Sequence, residues 1–341
     1  MAVTQLSANA SARFVTELRA KARTAGLLDR RPARYARRAL LLAPPLAISL
    51  FLAWTHSSLL LVILLSVVTA LLCIQFGLIA HDAGHGAVSR AGTANAFAGH
   101  LTFTLLNGVG FESWYVSHNE HHAACQDESA DPDMWVDTMV SLTPRSAEAK
   151  SGVGRRLLRY QGITLWFLAL FFTHSLRIQS LGRSYGEPLR YRWDCLLLPL
   201  HYGLWFVLPV AFIGVGWGRT LAVYALTSAV MGLYLAVLFW VNHIGMPVIQ
   251  AGHGLSFAEQ QVIGSRNVRC SPVFDWFFGG MNFQIEHHLA PDCPSPHLRE
   301  LRTIVQPLCH DAGLPYREEG FRQALASVTR HVRDIARRFG R

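Results

Sequence analysis

Four stretches of the chain are apolar for close to the length that crosses a bilayer. Residues 39–55, 57–80, 196–216 and 220–241 contain no Asp, Glu, Lys or Arg. About 20 helical residues span roughly 30 Å of hydrocarbon, and in that layer a helix satisfies its own backbone polar groups. The pattern therefore predicts four transmembrane helices in two hairpins, the first turning near His56. The run at 94–111 is shorter and broken by Gly and Asn, which suits a helix lying in the interface. Residues 11–25 predict a surface helix with mixed faces, 274–283 ("FDWFFGGMNF") a partly buried helix, and the tail to Arg341 a basic helical segment.

Composition agrees with the pattern: 51% of the 341 residues are hydrophobic and 16% charged, so a water-soluble domain is excluded. The net charge of +9 is concentrated at the N-terminus, where residues 1–38 hold nine Lys or Arg against Glu17 and Asp29. The positive-inside rule keeps that segment cytoplasmic. With no nucleic-acid motif beside it, the basic stretch reads as a membrane-surface anchor and not as a nucleic-acid site. It is too long for the charged end of a signal peptide. Six cysteines without a C-x-x-C are expected as reduced intracellular thiols. No internal repeat is present. The chain is thus expected to comprise a basic extension, 1–38, and one membrane domain, 39–341.

Candidate chemistry lies where the apolar runs end. "HDAGH" places His81 and His85 after the second run, and "HNEHH" supplies His118, His121 and His122. "NH" places His243 at the end of the fourth run, and "QIEHH" supplies Gln284, His287 and His288. Spacings of three and four put each group on one helix face, as a metal site built from helices requires. Neutral imidazole suits Fe, Cu, Ni or Zn, and eight histidines exceed one ion, so two metals are expected. If the histidines act together they share one membrane side, which assigns the ambiguous apolar segment 161–180 to the interface and not to a span. H-E-x-x-H, paired E-x-x-H, G-x-G-x-x-G and P-loop motifs are absent. The scattered His56, His100, His174, His201, His253, His297, His310 and His331 read as ordinary interfacial polar residues.

The ordered boxes "HDAGH", "HNEHH" and "QIEHH", with two hairpins between them, resemble the membrane-bound fatty acid desaturase superfamily. The Gln-first third box is similar to its front-end and acyl-CoA or acyl-lipid branch, and "GGMNFQIEHHLAP" is the most specific stretch. The resemblance implies an all-α integral membrane fold of four transmembrane helices, interfacial helices and a cytoplasmic helical cap, with both termini and the active site cytoplasmic. It implies two non-haem Fe ions held by His81, His85, His118, His121, His122, His243, His287 and His288, with O2 as co-substrate. The substrate would be a fatty acyl chain on CoA, acyl carrier protein or lipid. Many front-end members carry a fused cytochrome b5 domain with H-P-G-G; this sequence contains no H-P-G-G, so electrons are expected from a ferredoxin, cytochrome b5 or reductase. Asp82, Asn119, Glu120, Asp131, Asp133, Asn242 and Glu286 are candidates to orient the ligands. Trp114, Tyr115, Trp276, Phe277 and Phe278 are candidates to line an acyl tunnel. The rival activities are a hydroxylase or acetylenase on the same scaffold; the rival from another class is a metal transporter or receptor.

Overall fold

Long uncharged runs become long helices. The structure, a computed structural model, describes residues 6–134 and 140–340, so the acidic loop at 126–137 is described only as far as Met134. In chain order the helices are α1 (Ala8–Thr24), α2 (Pro32–Thr55), α3 (Leu59–Gly84), α4 (Gly92–Gly99), α5 (Phe111–Ala123), α6 (Pro144–Glu148), α7 (Gly152–Leu158) and α8 (Gln161–Ala169). They continue as α9 (Phe172–Gly186), α10 (Arg192–Tyr202), α11 (Trp217–His243), α12 (Phe257–Gly264), α13 (Pro272–Phe278), α14 (Gln284–Leu289), α15 (Leu298–Asp311) and α16 (Phe321–Phe339). Wider-wound π turns extend α4 through His100–Asn107 and α10 through Gly203–Ile213. Among the described residues four helical segments are long and apolar enough to cross a membrane: Pro32–Thr55, Leu59–Gly84, Arg192–Ile213 and Trp217–His243. These are the predicted four, although the first starts seven residues before its apolar run.

The chain divides into two compact units, one made of residues 30–116 and 168–236. Here α2 and α3 form a hairpin about His56, joined across its middle by Thr69 Oγ1 donating to Ser49 Oγ at 3.0 Å. A small hydroxyl pair of this kind lets two membrane helices approach closely. Segment 161–180 is not one helix: it breaks between Ala169 and Phe172. Gly232 of α11 makes the break fit, because a Cβ there would lie 2.5 Å from the Ala169 carbonyl oxygen. From α9 the buried Arg177 donates to the Asn107 carbonyl at 2.9 Å and to Ser228 Oγ at 2.6 Å, with its guanidinium 4.7 Å from the Tyr224 ring centroid.

In the same unit α5 and α10 cap each other. Asp194, fully buried near the start of α10, accepts from the backbone N–H groups of Glu112 (3.3 Å) and Ser113 (2.9 Å) in the first turn of α5. Glu112 in turn accepts from Trp193 N (3.3 Å) and Asp194 N (3.4 Å) in the first turn of α10. Each carboxylate satisfies orphan donors of the other helix and sits at its positive end. Gly110 permits the approach, since a Cβ there would be 2.6 Å from Asp194 Oδ2. His100 lies between the two, 3.6 Å from Asp194 and 3.9 Å from Glu112. Buried His201 bonds to the Leu105 carbonyl and Tyr224 hydroxyl. Neither histidine reads any longer as a mere interfacial residue.

The other unit comprises residues 1–29, 117–167 and 237–341. Helix α1 packs on α12 and α15, and Arg19 pairs with Asp292 at 2.8 Å. The guanidinium of fully buried Arg266 donates to the carbonyls of Val241 (2.6 Å) and Ile244 (2.7 Å), terminating α11 just where His243 emerges. Residues 274–283 are not one helix: α13 stops at Phe278 because Gly279 and Gly280 take φ of +59° and +88°, and α14 then starts anew at Gln284. That left-handed backbone is cheap only for glycine. The all-α class also gains a two-stranded parallel pair, Asn267–Arg269 with Glu318–Gly320, which ties the approach to the third box to the C-terminal segment.

Candidate metal centre

Three elements of this second unit bring six histidines together. Helix α5 carries His118, His121 and His122 on one face, α11 ends on His243, and α14 presents His287 and His288. The rings fall into two groups. In the first, Nε2 of His122 lies 3.2 Å from Nε2 of His118 and 3.1 Å from Nε2 of His287. In the second, the rings of His121, His243 and His288 lie 5.0 Å from one another, centroid to centroid. His122 stacks on His288 at 4.3 Å and joins the groups. The remaining pair, His81 and His85 of the first box, belongs to the first unit, with ring centroids 4.9 Å apart.

Several rings are held from behind. His121 Nδ1 is 3.0 Å from both oxygens of buried Asp131 and 3.5 Å from Asp133. His243 Nδ1 donates to the Gly264 carbonyl at 3.1 Å, and His288 Nδ1 donates to Gln261 Oε1 at 2.8 Å. Such bonds place the proton on Nδ1 and leave the Nε2 lone pair for a metal. His288 makes the point: its Nε2 is buried and has no hydrogen-bond partner. An orphaned buried acceptor costs free energy unless something binds it. The two separations about His122 Nε2, 3.2 and 3.1 Å, also fit ligands of one ion, because metal–nitrogen bonds of about 2.1 Å put adjacent ligands about 3.0–3.4 Å apart. The donors are imidazoles, with the Cys125 thiol beside the second group, 3.8 Å from His243 Nδ1, and imidazole suits a first-row transition metal such as iron.

Burial disfavours a charged His121, but Asp133 and Asp131 outweigh it and raise this imidazole to about 9, so an ion binding there would displace the proton on its Nε2. Burial, followed by its histidine neighbours, pushes His288 well below the usual value and keeps it neutral, the form that ligates. Asp131→Asn is expected to weaken metal binding by about 10- to 100-fold, measured by competition with a chromogenic chelator; an unchanged affinity would remove Asp131 from the centre.

Gln284 occupies a place the sequence left open. Asn242 Nδ2 donates to the carbonyls of Leu238 (2.9 Å) and Met281 (3.0 Å), which fixes its amide, and also to Gln284 Oε1 at 3.2 Å. The Gln284 amide nitrogen then faces His243 Nε2 at 3.1 Å. Gln284 thus touches a neighbouring ring through its N–H, with its oxygen turned to Asn242. Of the other orienting candidates, Asp82 lies 3.5 Å from His81 Nδ1 and accepts from Tyr35 at 2.5 Å. Glu286 is buried but turned away, accepting from Tyr316 (2.6 Å) and Asn267 (2.7 Å); it anchors α14 instead of a ligand ring. Glu120 is exposed and Asn119 half-buried. Gln261 and the Gly264 carbonyl were missed, because neither belongs to a box or a period. Trp114 packs on His81 (5.8 Å) and Phe103 (4.9 Å), and Phe278 is buried against Phe321, whereas Tyr115 and Trp276 are nearly half exposed.

Comparison with known proteins matches the sequence model of the fatty acid desaturase family to residues 56–320. An acyl-lipid (9-3)-desaturase of Borago officinalis is 32% identical over 278 residues, covering 78% of this chain and 62% of that protein. Delta(8)-fatty-acid desaturase 1 of Arabidopsis thaliana is 32% identical over 286 residues, covering 78% and 63%. A Delta(8)-fatty-acid desaturase of Euglena gracilis is 29% identical over 276 residues, covering 77% and 65%. The chain spans less than two thirds of the length of these relatives.

Proposed function

The chain belongs to the fatty acid desaturase family, and on that premise we propose that it introduces a carbon–carbon double bond into a fatty acyl chain. The reaction consumes O2 and takes electrons from an external donor such as a ferredoxin, a cytochrome b5 or a reductase. Two irons would be held by His81, His85, His118, His121, His122, His243, His287 and His288. When bound, they supply the oxidant that removes hydrogen from an unactivated methylene, a step side chains cannot perform alone. The observation that carries the reading is the grouping of six imidazoles, three of which, His121, His243 and His288, have Nδ1 held from behind by Asp131, the Gly264 carbonyl and Gln261.

The protein's own part is to orient and to exclude water. Asp131 retains the proton on His121 Nδ1, Gln261 does so for His288, and the Gly264 carbonyl does so for His243. Asn242 holds Gln284 beside His243, and the Gln284 N–H on the inner nitrogen of that ring would give way to a bound ion. Arg266 fixes the end of α11 and with it the height of that ring. The third box is sealed, since residues 284–290 are all buried. The arginines of residues 1–38 support a cytoplasmic N-terminus, and with four crossings and 161–180 in the interface both termini and the centre share that side. Acyl lipid is the first substrate to try, by analogy with the relative from Borago officinalis; acyl-CoA and acyl carrier protein are the others.

Product mass spectrometry after expression in a host with a donor system tests the reading. Loss of two hydrogens from an acyl chain supports desaturation. Gain of one oxygen without that loss would replace it by hydroxylation, and a triple-bonded product by acetylenation. A single zinc per chain with no product would favour a metal transporter or receptor, although ligands at helix ends fit that class poorly.

A further inference from the structure

One face of α7 and α8 carries a run of large apolar side chains turned outward. Val153, Leu157, Tyr160 and Ile163 recur at steps of four, three and three residues and are 69, 40, 51 and 73% exposed. Turn bonds three residues apart carry the chain from α7 into α8, Tyr160 N donating to the Leu157 carbonyl and Ile163 N to the Tyr160 carbonyl, and all four side chains stay outward across that join. Leu158 and Leu165 on the other side are buried, which fixes the orientation of both helices. A contiguous apolar stripe of this kind marks an interaction surface.

Its surroundings are basic. Residues 152–169 and 321–339 together hold eight arginines and one carboxylate, Asp334, itself 3.7 Å from Arg337. Arg156 and Arg159 are exposed beside the stripe, and the Arg159 guanidinium lies 4.8 Å from the Tyr160 ring centroid. Helix α16 packs on α7 and lays the exposed Arg333 over the first turn of α8: a Cβ on Gly162 would be 3.0 Å from the Arg333 Cγ. The end of α16 also meets the backbone of Arg159, where a Cβ on Gly340 would stand 2.8 Å from the Arg159 nitrogen. An acidic soluble protein would match the arginines and leave the stripe in water. A lipid surface with anionic headgroups matches both, the stripe among the upper acyl carbons and the guanidinium forks on phosphate oxygens.

We propose that α7, α8 and the end of α16 form a headgroup-binding face for anionic phospholipid, with Arg156, Arg159 and Arg333 holding the phosphate. The site lies outside the histidine centre and stands whatever reaction that centre performs.

The full chain carrying Ile163→Cys, labelled with an environment-sensitive fluorophore, tests this in vesicles of phosphatidylcholine alone and of phosphatidylcholine mixed with phosphatidylglycerol. The signal of the unsubstituted chain treated alike is subtracted. The expected result is blue-shifted emission quenched by brominated acyl chains, with quenching that rises as phosphatidylglycerol is added. Arg156→Gln, Arg159→Gln and Arg333→Gln should together erase that rise, on the order of fivefold in lipid preference for each arginine. Water-like emission overturns the proposal, as does quenching indifferent to phosphatidylglycerol, or a response seen only when an acidic soluble protein is added. The labelled chain with its arginines intact decides the matter even if the triple variant does not fold.

Discussion

His121→Ala is expected to abolish turnover and to lower the iron content from about two per chain. Its ring links three features: it shares a group with His243 and His288, its Nδ1 is held by Asp131, and it rides the helix that also carries His118 and His122. Removing it takes away one inner lone pair and leaves Asp131 buried without its imidazole partner, a loss that local relaxation cannot replace. Iron per chain by elemental analysis, read beside product formation in the same preparation, checks the expectation. Near-normal turnover with two irons retained would remove the second box from the site. Loss of iron from protein that still elutes as a folded species would separate ligand loss from misfolding.

Removal of the metal is expected to have an effect of equal size and to be reversible. Stripping the purified protein with a strong chelator at neutral pH should eliminate activity, because no other oxidant for an unactivated methylene is available among side chains. Adding ferrous iron should restore activity, whereas zinc should occupy the imidazoles without restoring it, having no redox chemistry to offer. The stripped protein should also melt at a lower temperature, since an ion bound only by the folded state stabilises it by mass action. Full activity after verified removal of iron would end the di-iron reading.

Where sequence and structure agree, the cause is a strong period or a strong apolar run. The four spans follow from runs without a charge, and the second and third boxes lie on helices as their i, i+3, i+4 spacing requires. His243 was legible because it ends such a run. What the sequence did not disclose depends on distant or unpatterned partners. Gln261 and the Gly264 carbonyl reach their histidines from α12, a helix with no motif of its own. The break in 161–180 is made possible by Gly232, more than sixty residues after its Ala169 partner. The stop after Phe278 was different, since two adjacent glycines announced it and the surrounding aromatic run concealed it.

The mutual capping of α5 and α10 bears on the order in which the chain acquires its structure. Helix α5 begins after Gly110, which has no side chain to cap it, and the carboxylate that does so comes from more than eighty residues later. A loop of that length must close before either first turn gains its partner, and contacts so distant in sequence slow folding. The first turn of the helix bearing three of the predicted ligands therefore lacks this carboxylate while the ribosome has released only the first hairpin, and gains it once the third membrane helix is made.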